Sequence, residues 1–331
     1  MKNIINQMLD GRVPTPNWQI KKGTNNIELF VNSHDGTSRA IAYTVLPGIH
    51  LFYFDIHAQT LPGESEENTE RLLQFNYCIN GRIELTLDDE TYIYLQENDF
   101  CISRQTSQNE SFFPTKHYLG ITLYFDSSFF DTDLWKAFEI DFPRLSEIYF
   151  EKKDTYIAEA NTDIKSVLKK LWNLRDNPSS FYMKLYVIEL LHLLLTEKNV
   201  CQAKPYAFYT GVRVEIAKKA EQILTSDLRR HIPIRTLAEQ FSVSETSLKN
   251  YFRGVYGENI SDYLRGLRMN TAAKLLIETK MPISEISTQV GYTKQGKFSA
   301  VFKQQFDMNP LEYRRVNRLK KMEPSNCAFI S

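Results

Sequence analysis

The 331-residue sequence has little of several features that mark common protein classes. It has no run of about eighteen apolar residues, so we expect no membrane span. Met1 is not followed by a basic and then apolar leader, so we expect no signal peptide. The cysteines, which are Cys78, Cys101, Cys201 and Cys327, are scattered without C-x-x-C spacing. Together these absences predict a cytoplasmic protein with reduced thiols and no membrane partner.

The sequence also lacks the usual patterns of metal and catalytic sites. His50 and His57 are seven residues apart and His117 stands alone, so there is no H-x-H pair with a further histidine and a nearby glutamate. No nucleophile and base are arranged in a recognisable motif. We therefore predict no catalytic residues, no metal site and no cofactor, and expect that the protein is not an enzyme.

Net charge is absent overall, because 40 lysines and arginines balance 40 aspartates and glutamates. The distribution is uneven. Residues 213–321 contain 20 basic and 11 acidic residues, a local charge of +9, and the remainder carries −9. A charge run is often only solvated surface. A repeated motif within this basic region favours a different interpretation, in which the region is a module that binds a polyanion.

One apolar pattern occurs twice in this basic region. The pattern that begins at Pro233 recurs at Pro282, 49 residues later, and the pattern that begins at Leu248 recurs at Phe298, 50 residues later. Proline suits the first turn of a helix, and the apolar spacing fits two short helices joined by a turn. The sequence therefore predicts two helix-turn-helix units, residues 233–257 and 282–307.

The turn residues support this layout. We expect Ser244 and Thr293 to cap the second helix of each unit, and Gly291 to take a positive φ. These second helices should cover residues 245–255 and 294–306. Residues 261–279 should form one continuous helix of roughly 28 Å between the units. That length is close to the ~34 Å between successive major-groove faces on one side of B-DNA.

The second helices each have a polar and cationic face. Asn and Gln side chains can pair with adenine, Ser and Thr can bond base or phosphate, and Lys and Arg can bind phosphate or guanine. The predicted partner is double-stranded DNA at promoter sites. The predicted DNA-binding residues are Ser244, Thr246, Ser247, Lys249, Asn250, Arg253, Thr293, Lys294, Gln295, Lys297 and Lys303.

This region resembles the DNA-binding domain of the AraC family of bacterial transcription regulators. The resemblance is carried by residues 283–292, 298–303 and 309–314. It implies an AraC-type DNA-binding domain over residues 213–318 and a transcription regulator, expected to be an activator that recruits RNA polymerase. Ser287 replaces the usual Ala and Asp307 the usual Gly, changes that the fold should tolerate.

Base contacts carried over from the family fall unequally on the two units. In the first unit they fall on Thr246, Lys249 and Asn250. In the second they fall on Gln295, Gly296 and Ala300, of which the last two cannot make side-chain hydrogen bonds. We therefore expect the first unit to supply most of the sequence specificity and the second unit to supply more of the binding affinity.

The region 1–130 has the alternation of short β-strands. Residues 82–87 and 91–95 alternate strictly, and the dipeptides at 80–81 and 88–89 are typical of turns. The region resembles the cupin-like sensor barrel that precedes the DNA-binding domain in many AraC-family members. A small-molecule effector would then occupy the barrel. The candidate lining residues are Tyr53, Tyr77, Arg82, Glu84 and Tyr92, although each tyrosine is equally compatible with a half-buried strand position.

Residues 131–212 are predicted to be a helical dimerisation segment and linker. Its last helix has a wide apolar face that packs either on the barrel or on a second copy, and the resemblance favours a homodimer. The candidate dimer contacts are Leu185, Ile188, Leu191 and Leu195.

The predicted fold class is α+β and multidomain. It consists of the N-terminal cupin-like β-barrel, the helical linker or dimerisation segment, and a C-terminal all-α domain with two helix-turn-helix units. The expected function is sequence-specific transcription regulation controlled by a signal at the N-terminal domain. Two alternatives are a cupin-type enzyme with an accessory DNA-binding tail and an architectural DNA binder without an effector.

Overall fold

The computed structural model describes residues 19–33, 36–61, 72–87, 91–104, 111–130, 133–150, 154–196 and 209–322. The chain divides into two compact units, residues 1–210 and residues 211–331. The first contains a large antiparallel sheet with helices, and the second is all helical. The helices expected to form a separate segment after the sheet belong to the first unit.

The strands of the first unit, numbered in chain order, are β1 (Gln19–Lys22), β2 (Ile27–Ser33), β3 (Gly36–Leu46), β4 (Ile49–Ile56), β5 (Thr60–Leu61), β6 (Leu72–Thr86), β7 (Thr91–Gln96), β8 (Asp99–Ser103), β9 (Ser111–Phe112), β10 (Tyr118–Asp126), β11 (Thr155–Glu159) and β12 (Tyr209–Thr210). The main sheet has the order β1-β2-β3-β4-β10-β6-β7-β12, with β8 paired to β6 and β11. Among the described strands no pairing joins β1 to β12, so the sheet is barrel-like but not closed.

Four α-helices lie in the described part of this unit: α1 (Asp133–Ala137), α2 (Phe142–Phe150), α3 (Thr162–Asn173) and α4 (Ser180–Leu195). Alternate residues of β4 and β10, such as Tyr53 and Leu123, share one apolar core with these helices. The intervening residues of the same strands, such as Phe52 and Tyr118, belong to smaller apolar cores on the opposite face of the sheet. The period of two in a strand thus separates two apolar layers.

The predicted tight turn at residues 80–81 is wrong, because β6 continues through it. Gly81 has a φ of +86°, and the pairing of β6 with β10 shifts register beside it. A Cβ at Gly81 would lie 2.0 Å from the backbone oxygen of His117. Glycine is therefore required for an irregularity within the strand rather than for a hairpin. The turn predicted at residues 88–89 lies outside the described residues.

The second unit contains seven described helices: α5 (Gly211–Thr225), α6 (Ile234–Gln240), α7 (Glu245–Tyr256), α8 (Ile260–Glu278), α9 (Ile283–Gln289), α10 (Gln295–Phe306) and α11 (Pro310–Met322). The pairs α6–α7 and α9–α10 are the two helix-turn-helix units, and α8 connects them. Each of the three helices whose bounds were predicted is present, and its ends differ from the prediction by at most one residue.

The sequence repeat is reproduced in the backbone of the two units. In the turns, Ser242 and Gly291 have φ values of +55° and +84°. The amide that follows each one donates to a carbonyl five residues earlier, at 3.0 Å in the first unit and 2.8 Å in the second. After the second helices, Gly257 and Asp307 both take the left-handed conformation. The predictions for Gly291 and Asp307 are confirmed.

Two further observations concern the absences noted in the sequence. Among the described residues, no helix has the length and apolar character that a membrane crossing requires. Cys78 and Cys101 are free and buried. Burial raises the pKa of Cys78 and raises the pKa of Cys101 to about 12, so neither thiol ionises readily at neutral pH.

Candidate nucleic-acid interface and other candidate sites

The first recognition helix, α7, is fixed by a cap and by a narrow apolar stripe. The side chain of Ser244 accepts a hydrogen bond from the backbone N–H of Ser247 at 3.0 Å, as the sequence predicts. Leu248 and Phe252 are fully buried and hold the helix against the rest of the unit. The opposite face is therefore free to meet a ligand.

That opposite face presents the predicted contact residues to solvent. Thr246, Lys249, Asn250 and Arg253 are all exposed. Lys249 Nζ lies 3.5 Å from Glu245 Oε2, with the lysine side chain 51% exposed. An ion pair this exposed contributes at most about 1 kcal/mol, so the ammonium can readily exchange it for a phosphate.

The second recognition helix, α10, differs from α7 at its start. Its N-cap is Lys294, which makes no side-chain cap hydrogen bond. The prediction that Thr293 caps this helix is therefore wrong, because Thr293 lies one residue before the cap position. Lysine has no acceptor atom, so it cannot cap. Thr293, Lys294, Gln295, Lys297 and Lys303 are nevertheless all exposed.

The two small residues of α10 leave an open surface. Gly296 and Ala300 are exposed, and a Cβ added at Gly296 would meet no heavy atom within 4 Å. Glycine is thus not required there by packing. This surface offers neither a side-chain donor nor an acceptor at either position, in contrast to Lys249 and Asn250 in the first unit.

The connecting helix α8 is rigidly held at both ends. Asn259 caps its start by accepting from the N–H of Asp262 at 2.9 Å. At the other end of α8, Arg314 of α11 donates to the carbonyls of Leu276 and Met281. Arg318 likewise donates to the carbonyls of Ile277 and Thr279. Cations at a helix C-terminus satisfy free carbonyls and favour the helix dipole.

Sequence reasoning missed this role. It used Arg314 as part of the family motif at residues 309–314 and counted Arg318 only as local positive charge. The i, i+4 spacing of two arginines on α11 was the available signal. The carbonyls they bind lie 33 to 41 residues earlier in the chain. Only the packing of α11 on α8 could reveal that contact.

A buried polar pair links α8 to α5. The hydroxyl of Tyr263 donates to Glu221 Oε1 at 2.8 Å, and Glu221 is only 2% exposed. Burial raises the pKa of Tyr263, so the phenol remains a neutral donor. Because a buried carboxylate is costly without donors, this bond helps to fix how α8 sits in the unit.

The candidate effector residues fall into two groups in the structure. Tyr53 and Tyr77 are 1% and 6% exposed and belong to the core between sheet and helices. Tyr53 donates its hydroxyl to the Leu171 carbonyl at 2.8 Å, and Tyr77 donates to Asn98 Oδ1 at 3.1 Å. Both side chains are thus buried and hydrogen-bonded within the core, and their role in effector binding stays a prediction.

The remaining effector candidates lie on the β6–β7 hairpin. Arg82 stands 5.1 Å over the ring of Tyr94, which donates to Glu84 Oε2 at 2.6 Å. Tyr92 pairs with Tyr209 across β7 and β12. Ile83, the residue between Arg82 and Glu84, packs on the core of the other face. These polar residues therefore face away from that apolar interior.

The candidate dimer residues of α4 divide into two groups. Leu191 and Leu195 are 0% and 8% exposed and pack in the core of their own unit. Their assignment to a dimer interface stays a prediction. Leu185 is 45% exposed and Ile188 is partly exposed. The neighbouring exposed residue Phe181, which the sequence reasoning did not select, extends the same helix face.

The structure also brings together three potential metal ligands that the sequence scatters. Asp55 is the second-last residue of β4, His57 follows the strand directly, and His117 immediately precedes β10. Because Ile56 pairs with Tyr118, the three side chains converge, and one ligand atom from each lies within 4.8 Å of the others. The expectation that His117 stands apart from other ligands is wrong, since strand pairing closes a gap of sixty residues.

Comparisons with known proteins place the helical unit in a family. A family model described as a helix-turn-helix domain matches residues 237–316. The lactose operon transcription activator of Staphylococcus xylosus is 27% identical over 163 residues, which cover 48% of this chain and 57% of that protein. The transcriptional activator RhaR of Enterobacter sp. (strain 638) is 33% identical over 95 residues, which cover 29% of this chain and 34% of RhaR.

The regulatory protein SoxS of Escherichia coli (strain K12) is 38% identical over 81 residues, which cover 24% of this chain and 76% of SoxS. The chain thus spans 57% and 34% of the length of the other two relatives. The motifs at residues 283–292 and 309–314 lie inside the matched helix-turn-helix region. With most of SoxS matched at this identity, the chain belongs to the AraC family of transcription regulators.

Proposed function

We propose that this protein is a sequence-specific DNA-binding transcription regulator, an activator rather than an enzyme, whose N-terminal unit receives a signal. The observation that carries the proposal is the pair of recognition helices, each anchored by a buried stripe and each presenting an exposed polar face. The names of two relatives describe transcription activators, which supports activation as the direction of control.

The connecting helix explains how both units would engage one DNA face. Its nineteen residues span roughly 28 Å, Asn259 caps its start, and the Tyr263–Glu221 bond links it to α5. A connecting helix of about that length suits recognition helices in successive major-groove turns on one side of the duplex. The local charge of +9 supplies the sequence-independent attraction to phosphate.

The units would divide the work of binding. Thr246, Lys249 and Asn250 offer base-reading side chains on α7, whereas the surface of α10 around Gly296 is open and has cations beside it. The first unit would therefore determine most of the sequence preference. The second would supply affinity through Lys294, Lys297 and Lys303.

Selection of binding sites from a random duplex pool, followed by titration at several salt concentrations, tests this division. Asn250→Ala should relax the preference at one position of the site and cost on the order of 1–3 kcal/mol there. Lys303→Ala should weaken all sequences alike and reduce the salt slope by about 1. Lys184→Ala, in the N-terminal unit, is the matched control and should change neither quantity.

The proposed role of α7 in base recognition is refuted if Asn250→Ala leaves the selected sequence unchanged. A protein without any sequence preference would instead be the architectural DNA binder. In that case the protein would give no promoter-specific response in a transcription assay with purified RNA polymerase, the partner that family membership suggests.

The N-terminal unit would provide signal reception and homodimer formation. Phe181, Leu185 and Ile188 form a partly exposed apolar stripe along α4, which supports self-association through this helix. Leu185→Glu should shift the chain to monomers in sedimentation velocity, whereas Lys184→Glu, on an adjacent exposed position, should leave the dimer intact. A dimer that survives Leu185→Glu would move the interface elsewhere.

A further inference from the structure

The cluster of Asp55, His57 and His117 has the composition and the spacing of a transition-metal site. The two histidine rings lie 5.1 Å apart between centroids, and His57 Nε2 is 3.0 Å from Asp55 Oδ1. Ligand atoms about 2 Å from a shared ion lie about 3 to 4 Å from one another, so small side-chain rotations would place all three on one ion. All three residues are partly buried.

One carboxylate oxygen of the cluster has no hydrogen bond. Asp55 Oδ1 is almost inaccessible to solvent, and despite its closeness to His57 it makes no hydrogen bond of acceptable geometry. The Asp55 side chain as a whole is 41% exposed, and a bound cation would give this oxygen a partner that it lacks. This is an independent reason to expect a positive ion at the cluster.

The backbones of the two histidines are held in place before any ion binds. The amide of His57 donates to Ser38 Oγ at 2.9 Å, and the missing side chain of Gly36 leaves room for the His57 Cβ. The carbonyl of His117 accepts from Thr115 Oγ1 at 2.7 Å and packs against Gly81. Such preorganisation lowers the ordering cost of ligation.

We propose that Asp55, His57 and His117 form a binding site for one divalent transition-metal ion, with Zn²⁺ as the best match. Two imidazoles and one carboxylate are typical zinc ligands, and they leave a position for water or a further ligand. Mg²⁺ and Ca²⁺ prefer oxygen ligands throughout and would bind weakly.

The test uses the full chain, stripped with a chelator and titrated with Zn²⁺ against a chromophoric metal indicator, with native mass spectrometry for stoichiometry. One ion per chain is expected. Asp55→Asn and His117→Gln should each lower the affinity at least about 100-fold, because loss of a ligand exceeds the 10- to 100-fold effect of losing its supporting partners. His192→Gln, which changes an exposed histidine on α4, is the matched control and should bind like the wild type.

Co²⁺ gives a second readout that depends on the ligands themselves. Its visible bands in the wild type should indicate nitrogen and oxygen ligation and should disappear in His57→Gln. Urea unfolding followed by tryptophan fluorescence establishes that each variant is folded. The proposal is overturned if the folded wild type binds no stoichiometric Zn²⁺, or if Zn²⁺ binding is unchanged in the ligand variants. No DNA enters these assays, so their outcome is independent of the proposed DNA-binding function.

Discussion

Substitution of Gly291 by alanine tests whether the turn of the second helix-turn-helix unit is built as the structure shows. Gly291 has a φ of +84°, a left-handed conformation that costs an L-residue about 1–2 kcal/mol. The new Cβ would lie 2.2 Å from the backbone oxygen of Leu228. Relief of such a clash against backbone costs about a further 1–3 kcal/mol. We therefore expect Gly291→Ala to lower the free energy of unfolding by about 2–5 kcal/mol.

Gly266→Ala is the matched control, because Gly266 lies inside α8 and an added Cβ there would meet nothing within 4 Å. Alanine is a better helix former than glycine, so this variant should be stabilised by about 0.5–1 kcal/mol. The two substitutions add the same methyl group, and only the backbone conformation and surroundings differ.

Urea unfolding of the full chain can separate the two units. All three tryptophans lie within residues 1–210, so tryptophan fluorescence reports on the first unit alone. Circular dichroism at 222 nm also reports on the helices of the second unit. Gly291→Ala should shift a dichroism transition and leave the fluorescence transition in place. A loss below about 1 kcal/mol, or equal losses in both glycine variants, would refute the reasoning.

Three further substitutions test single contacts. Tyr263→Phe removes the donor to the buried Glu221 carboxylate and should cost about 1.5–3 kcal/mol by circular dichroism, while Tyr251→Phe, whose ring rather than hydroxyl faces Arg213, should cost less. Leu191→Glu buries a charge at a fully inaccessible position, and an expected loss above about 4 kcal/mol would unfold the first unit rather than merely dissociate a dimer. Burial lowers the pKa of His50 to about 4, below the value near 6.5 in an unfolded chain. Between pH 4 and pH 6.5, His50 therefore binds a proton in the unfolded chain but not in the folded one. Stability of the first unit should therefore be complete above pH 6.5 and fall by about 2 kcal/mol by pH 5, and urea midpoints from tryptophan fluorescence should lose this dependence in His50→Asn.

The helical unit was predictable because its determinants are local. Its signals act within single helical turns: proline before each short helix, the serine cap at residue 244 and the spacing of apolar residues. Because the pattern occurs twice, the helix assignment in each unit supported the assignment in the other. Even the left-handed residue Asp307 followed from its alignment with Gly257. The error at Thr293 is equally local, since the helix begins one residue later than in the first unit.

In the sheet unit, the amino-acid pattern predicted antiparallel strands but not which residues meet. Gly81 lies within a strand because its neighbour in space is His117, and that pairing depends on β10, almost forty residues later. Likewise, the apolar face of α4 is visible in the sequence, yet only packing on the sheet decides that Leu191 is buried and Leu185 exposed.

The sequence by itself therefore determined the two helix-turn-helix units, the family and the exposed polar faces, because helix periodicity and capping are read within a few residues. Tertiary structure alone decided the roles of Tyr53, Arg314 and Arg318 and the meeting of Asp55 with His117. Those contacts join residues between 33 and 118 positions apart. Strand register and helix packing, which no short stretch of sequence contains, bring them together.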